Sequence, residues 1–169
     1  MSLTQRSLYL LNSARFFTLA SQQGNEAPWA STLNYVPLFE PLRLVWYSMS
    51  TARHSRNIHN RAEVSGSLFR YDMQDASPPG LDGAQFSGVA REIPKSECEY
   101  FHQEYYRLNF PDELVRANWQ RPLHEFYGDG VRRFYALQIT DWWLLDIDGW
   151  LETKEDKRIP VPLSQLLLR

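Results

Sequence analysis

Only one cysteine, Cys98, occurs in the 169 residues, which excludes an internal disulfide and any multi-cysteine metal site. No apolar run reaches transmembrane length, and the N-terminal MSLTQRSLYLLNSARFF lacks the long apolar stretch of a signal peptide, so the expectation is a soluble cytoplasmic protein. Neither sign of charge dominates. With 18 basic and 20 acidic residues the net charge is −2, which gives no global pull toward nucleic acid or a membrane surface. Repeats and low-complexity tracts are missing as well. The most informative absence is local. From Pro41 to Ala62 there is no acidic residue, yet Arg43, Arg53, Arg56, Arg61, His54 and His59 all fall inside that window. A local anion site is expected there.

What is present suits a packed core: 43% of residues are hydrophobic and 14% aromatic. A chain of this length has room for one domain, read here as residues 1–169, since about 150 residues bury roughly 70% of the surface of the unfolded chain.

Ser2 begins an amphipathic helix that stops near Ala14, with Leu3, Leu8, Leu10 and Leu11 clustering by helical spacing. RFFTLASQQGNEAPWASTLNYVPLF reads as two strands around a Gly24-Asn25 turn. Residues 42–49 and 63–71 read as further strands, and DMQDASPPGLD at 72–82 as a loop leading into a strand that starts at GAQFSGVAREI. A helix is expected after Pro94, with capping-box spacing from Ser96 to Glu99 and with Cys98, Phe101, Tyr105 and Leu108 on one face. PDELVRANWQ follows as a short helix. Residues 133–148 read as a long strand ending in turn chemistry at Asp148-Gly149, and the tail as irregular. The sum is a mainly β chain of about six mostly antiparallel strands, closed most simply as a barrel with peripheral helices.

If Ser50 or Thr51 caps a helix running to about Asn60, its first-turn amides and dipole offer an anion seat within reach of Arg53, with Arg56 and Asn57 on the same side. His54 adds a donor that strengthens on protonation. The competing reading is a solvated basic face, which leaves the missing acids unexplained; a nucleic-acid patch needs more basic residues along one face.

The order FFTLASQQG, PWASTLNYVP, LRLVWYSMSTARHSRNIHNRAEVSGSLF and GAQFSGVARE resembles the FMN-binding split-barrel superfamily that includes pyridoxamine 5′-phosphate oxidase, over roughly residues 10–110 and a final strand at 134–146. The resemblance implies a split β-barrel with an FMN phosphate held at YSMSTARHSRNIHNRAEVS, through Ser48, Arg53 and His54, with Thr51 in the same turn also counted as cofactor-binding. It implies that Ala30, Ser31, Thr32 and Leu33 run beside the flavin ring. It further implies a homodimer in which Gln85 approaches the ring from the second subunit, and an oxidoreductase activity of unknown substrate. Two departures stand out. His54 replaces the usual lysine and Ala52 a common hydroxyl, which predicts weaker and more pH-dependent phosphate binding, and the C-terminal region lacks the Arg-x-His arrangement with which the true oxidase grips its substrate.

The alternatives are a haem-binding relative and a non-enzymatic flavin-binding protein. The haem relatives use a C-terminal histidine, and there is none here after His124. No catalytic residue and no metal ligand set is assigned; His102 and His124 have no partners at ligand spacing. Trp142 and Trp143 point to opposite faces of a strand, one toward the core and the other exposed or at a ligand pocket, with the choice open. Asp141 and Asp146 read as turn or edge acids, Gly83 and Gly88 as bulge or close-approach positions, and Cys98 as core.

Overall fold

A computed structural model of the chain describes residues 1–70 and 82–167. The expected loop at 72–82 lies outside the described residues, apart from Asp82, which starts a strand. In chain order the elements are α1 (Leu3–Ser13), β1 (Phe16–Ser21), β2 (Trp29–Asn34), β3 (Val36–Phe39), β4 (Leu42–Met49), α2 (Arg53–Asn60), β5 (Glu63–Arg70) and β6 (Asp82–Glu92). Then come α3 (Lys95–Asn109), α4 (Glu113–Trp119), a 3₁₀ turn at Leu123–Phe126, β7 (Arg132–Leu145), α5 (Ile147–Thr153), β8 (Arg158–Pro160) and a last 3₁₀ turn at Leu163–Gln165. No helix among the described residues is long and apolar enough to cross a membrane.

Among the described residues, all the strands join one antiparallel sheet in the order β2-β1-β5-β6-β7-β4-β3, with β8 added to β7. The two edge strands, β2 and β3, are separated in sequence by Tyr35 alone. A sheet whose opposite edges are consecutive stretches of one chain cannot lie flat; it has to curl until those edges meet. The mainly β, split-barrel expectation is therefore met. The second strand of the first hairpin, however, is two strands: at Tyr35 the chain changes partner from β1 to β4. Tyr35 is anchored inside, its ring edge-on to Phe17 and its hydroxyl donating to the Leu11 carbonyl at 2.9 Å.

The curled interior is filled by Phe17, Leu19, Leu44, Trp46, Phe86, Leu137 and Trp142, with Phe86 stacked on Trp142 at 5.7 Å. Trp142 is the core tryptophan of the pair and donates its indole N–H to Ser7 of α1. Ser2 caps α1 in a capping box with Gln5, and Arg6 bonds both oxygens of buried Asp82 at 2.7 and 3.0 Å, tying α1 to β6. A second cluster lies outside the barrel, where Cys98, Phe101, Tyr105 and Tyr106 of α3 cover Val45, Phe134 and Ala136.

Several local expectations are corrected. α3 starts at Lys95 behind Pro94 with no side-chain cap, so the Ser96–Glu99 box does not form. Its inner face runs Cys98, Phe101, His102, Tyr105, Tyr106, while Leu108 is 37% exposed: ten residues after Cys98 it has rotated about 80° off that face. The last long strand stops at Leu145, and Asp148-Gly149 is not a turn but lies within α5, capped by the Asp146 carboxylate on the Gly149 amide. The tail carries β8 instead of being irregular. Gly88 does mark a bulge: the β6–β7 register slips between Ser87 and Gly88, and a Cβ on Gly88 would strike the Gln138 carbonyl. Gly83 pairs regularly with Phe69.

Candidate functional site

The helix of the acid-free window, α2, packs against β6, β2 and β1. Its N-cap is Ala52, which has no side chain to offer, so neither Ser50 nor Thr51 caps it as expected. Ser50 is drawn away to the Val131 carbonyl, accepting nothing from the helix, and the exposed Thr51 gives its carbonyl to the Arg56 guanidinium. The first-turn amides are thus left without a side-chain acceptor, and the positive end of the helix is open to an anion.

Three of the residues expected at the site form a chain of hydrogen bonds. His54 Nε2 lies 2.7 Å from the Ser48 hydroxyl on β4, and Nδ1 lies 3.2 Å from the Ser31 hydroxyl on β2. β2 and β4 do not pair as strands, so this imidazole joins the two sides of the split. The residue is buried, and burial holds its pKa below the ordinary histidine value of 6.5. At neutral pH His54 is therefore an uncharged bridge, with both ring nitrogens engaged. Its expected part as a cationic phosphate donor is not what this environment favours. Asn57, expected beside Arg53, also turns inward, donating to Ser21 on β1 at 3.1 Å.

Arg53 stays at the surface. Its guanidinium lies over the Trp29 ring at 4.6 Å, bonds the Ala27 carbonyl at 3.3 Å and pairs with Glu26 at 3.5 Å. The acids missing from the window are thus supplied from outside it: Glu26 by the β1–β2 turn and Glu63 by β5, 3.8 Å from Arg61. Arg53, Arg56 and His59 line a cavity of about 490 Å³, together with Ser50, Ser55, Glu26, Glu92 and Tyr135. Glu92 is taken by Arg133 at 3.1 Å. Two guanidinium groups and the open start of α2 therefore face the same space.

Of the remaining expected residues, Ala30, Thr32 and Gln85 lie on the outer face of the sheet. Cross-strand pairing places Thr32, Thr18, Ser67, Gln85, Trp143 and Pro160 in one continuous row across β2, β1, β5, β6, β7 and β8. The neighbouring row runs Ala30, Ala20, Ser65, Ser87, Asp141. Among these positions the only charge is Asp141, at the far end, which accepts from Ser87 and Thr140 and is held below the usual carboxylate range by those two bonds. Gln85 and Thr32 share a row but stand three ladders apart, about 14 Å at the usual strand spacing. Within one chain they do not meet. Trp143 is the outward member of its pair and stands next to Gln85. A second cavity of about 490 Å³ opens on this face between Phe16, Thr18, Thr32, Ser67 and Phe69. Ser31 and Leu33 point the other way and are half-buried.

Trp29 and Glu26 were not singled out by sequence reasoning as site residues, whereas the Trp142–Trp143 pair was, with the choice between them open. Trp29 and Glu26 carry no signal apart from standing just before the ASTL segment, because their link to Arg53 spans more than 20 residues of sequence.

No family model matches the chain. A curated relative, the UPF0306 protein PM1958 of Pasteurella multocida strain Pm70, is 26% identical over 111 residues, which are 66% of this chain and 71% of that protein. Among solved structures, a heme binding protein from Mycobacterium smegmatis superposes with a TM-score of 0.70 at 14% identity; the match covers 99% of this chain but spans only 60% of that one. An FAD and heme binding protein from the same organism gives 0.63 at 15% identity, over 93% of this chain and 81% of the other. An FAD-binding protein from Mesorhizobium loti gives 0.61 at 15% identity, over 84% and 92%. At these identities the likeness is one of architecture, and the chain has the split-barrel fold of flavin- and haem-binding proteins that its sequence resemblance implies.

Proposed function

We propose that the chain binds FMN along β2, with the phosphate at Arg53 and the ring over the outer face near Thr32, in a homodimer whose second copy brings Gln85 to the ring, and that it works as a flavin-dependent oxidoreductase. The observation that carries this reading is the pair of unlike cavities at the two ends of one short strand. Trp29, under the Arg53 guanidinium that lines the first cavity, and Thr32, in the second cavity between Phe16 and Phe69 with Arg15 and Arg70 at its margin, are three residues apart, about 10 Å of extended chain, on opposite faces of the edge strand β2, so the ligand would pass over that edge. That spacing suits a ligand with an anionic end, a short polar linker and a flat apolar end. The donor set also fits: a phosphate takes charge-assisted bonds from guanidinium groups and from open helix amides, while a flat ring is tolerated by a face of Ala, Thr and Ser.

When bound, the flavin supplies the electron-transfer chemistry. The chain's own part is to seat the phosphate with Arg53, to hold β2 against β4 through the Ser31–His54–Ser48 bridge, and to exclude water from the ring through Phe16 and Phe69. A second copy is supported by the outer face itself, where Phe16 is 56% and Phe69 63% exposed beside rows with almost no charge. The haem alternative needs a free axial ligand; His54 and His102 are both committed to hydrogen bonds, which leaves His59, in the Arg53 cavity, and His124 as the imidazoles it could use.

The test is the absorption spectrum of protein purified without added cofactor, followed by titration of the Arg53→Ala variant. A flavin spectrum supports the proposal and a Soret band supports haem. Loss of one charge-assisted bond predicts that Arg53→Ala weakens FMN roughly ten- to a hundredfold and leaves riboflavin, which has no phosphate, almost unchanged. Equal FMN-to-riboflavin ratios in wild type and variant would make Arg53 part of a solvated basic face and sink the assignment.

A further inference from the structure

The guanidinium proposed to receive an anion already has one partner of the right charge. Arg53 is held on the β1–β2 turn by the Glu26 carboxylate, the Ala27 carbonyl and the Trp29 ring. Of the two carboxylates lining the cavity, Glu92 is neutralised by Arg133, so Glu26 is the one that answers the charge on Arg53. The pair is weak by construction: the contact is 3.5 Å long, and the side chains of Arg53 and Glu26 are 35% and 56% exposed.

We propose that Glu26 is a selectivity residue of this cavity, an internal competitor that any anion must displace from Arg53. The inference rests on the reading of Arg53 as an anion ligand and adds to it the identity of the ligand's rival and the class of ligand that wins. A singly charged carboxylate ligand exchanges like for like with Glu26 and gains little. A phosphate monoester, with nearly two charges and three acceptor oxygens, reaches Arg53, Arg56 and the α2 amides together and gains over the exchange. The Trp29 ring is untouched by the exchange, so Arg53 keeps a fixed platform on either partner. Because the carboxylate sits on the turn between β1 and β2 and not on α2, the same turn that starts the ring-bearing strand also regulates access to the anion seat.

The experiment titrates wild type, Glu26→Gln and Arg53→Ala, and the double variant, with FMN, riboflavin and inorganic phosphate at one low ionic strength. A surface pair of this kind predicts that Glu26→Gln tightens FMN and inorganic phosphate about two- to fivefold and leaves riboflavin unchanged. The gain should disappear in the Arg53→Ala background, since the competition acts through Arg53. Unchanged or weaker phosphate binding in Glu26→Gln overturns the proposal, as does a full gain that persists without Arg53, which would be plain repulsion. Tighter inorganic phosphate in a protein that takes up no flavin keeps Glu26 as the competitor and removes the FMN reading instead.

Discussion

On the β3, β4 and β7 side, the outer surface of the sheet is sealed by α3: Tyr47 and Phe134 of the sheet and Phe126 of the 3₁₀ turn meet one another and Tyr105 and Tyr106 in a set of edge-to-face, tilted and stacked rings, with Phe101 buried in the same cluster under the Arg43 guanidinium. On the β2, β1, β5 and β6 side, the same surface carries Ala30, Thr32, Ala20, Thr18, Ser65, Ser67 and Gln85, with Phe16 and Phe69 exposed at one margin. The first set of side chains is large enough to drive the docking of a helix from within the chain. The second has little apolar area to offer a helix, but its rows are made of small, mostly uncharged side chains, which suits a planar ligand and a second copy of the same face. Burial is a property of what the side chains can gain, and here it separates a stabilising layer from the proposed binding surface on one continuous sheet.

The largest effect should come from the sealed side. Phe101 is 1% exposed, and Phe101→Ala is expected to cost about 3–5 kcal/mol in urea unfolding. Phe69→Ala, at 63% exposure, should stay within about 0.5 kcal/mol for the separated chain. Similar losses from the two substitutions would erase the contrast between the faces.

A charge in the middle of the bare row probes its use. Ser67 stands between Thr18 and Gln85, so Ser67→Arg would bury an unpaired guanidinium if two copies meet there, and should weaken the dimer by about a hundredfold or more. Light scattering across a dilution series reads this directly, and an unshifted dimer would place the contact between copies elsewhere.

The smallest effect belongs to the bridge at the split. His54 is held neutral by burial, its folded pKa lying below the 6.5 of the ordinary side chain. The unfolded chain therefore binds the extra proton first, and stability should fall as pH drops from about 6.5 toward the lowered folded value and level off below it. His54→Gln keeps hydrogen-bonding capacity without the titration, so the difference between wild-type and variant unfolding free energies should change over that window and be flat above pH 7. A flat difference at all pH values would mean that His54 is solvated and does not bridge β2 and β4.

Much of the fold was legible because short-range chemistry decides it. The runs at 42–49 and 63–70 are strands on side-chain type alone, α1 follows from its spacing, and Gly88 marks a place where only a hydrogen fits. α5 was hidden, since DIDGWLET contains the dipeptide of a turn and becomes a helix only when Asp146 folds back on the Gly149 amide. The break at Tyr35 was hidden too, because nothing local separates Asn34 from Val36; what differs is that one pairs with Phe16 and the other with Val45.

The candidate site divides along the same line. The sequence by itself put Ser48, Arg53 and His54 on one strand, turn and basic helix start, while Ser31, on an earlier strand, was joined to them only by the family resemblance. Only the tertiary structure decided that His54 turns inward as a neutral bridge while Arg53 stays outside on Trp29 with Glu26 beside it. Residues one apart on a helix point in different directions, and which of them meets the protein interior depends on where β2 lies, a fact set by the closure of the sheet and absent from any short stretch of the chain.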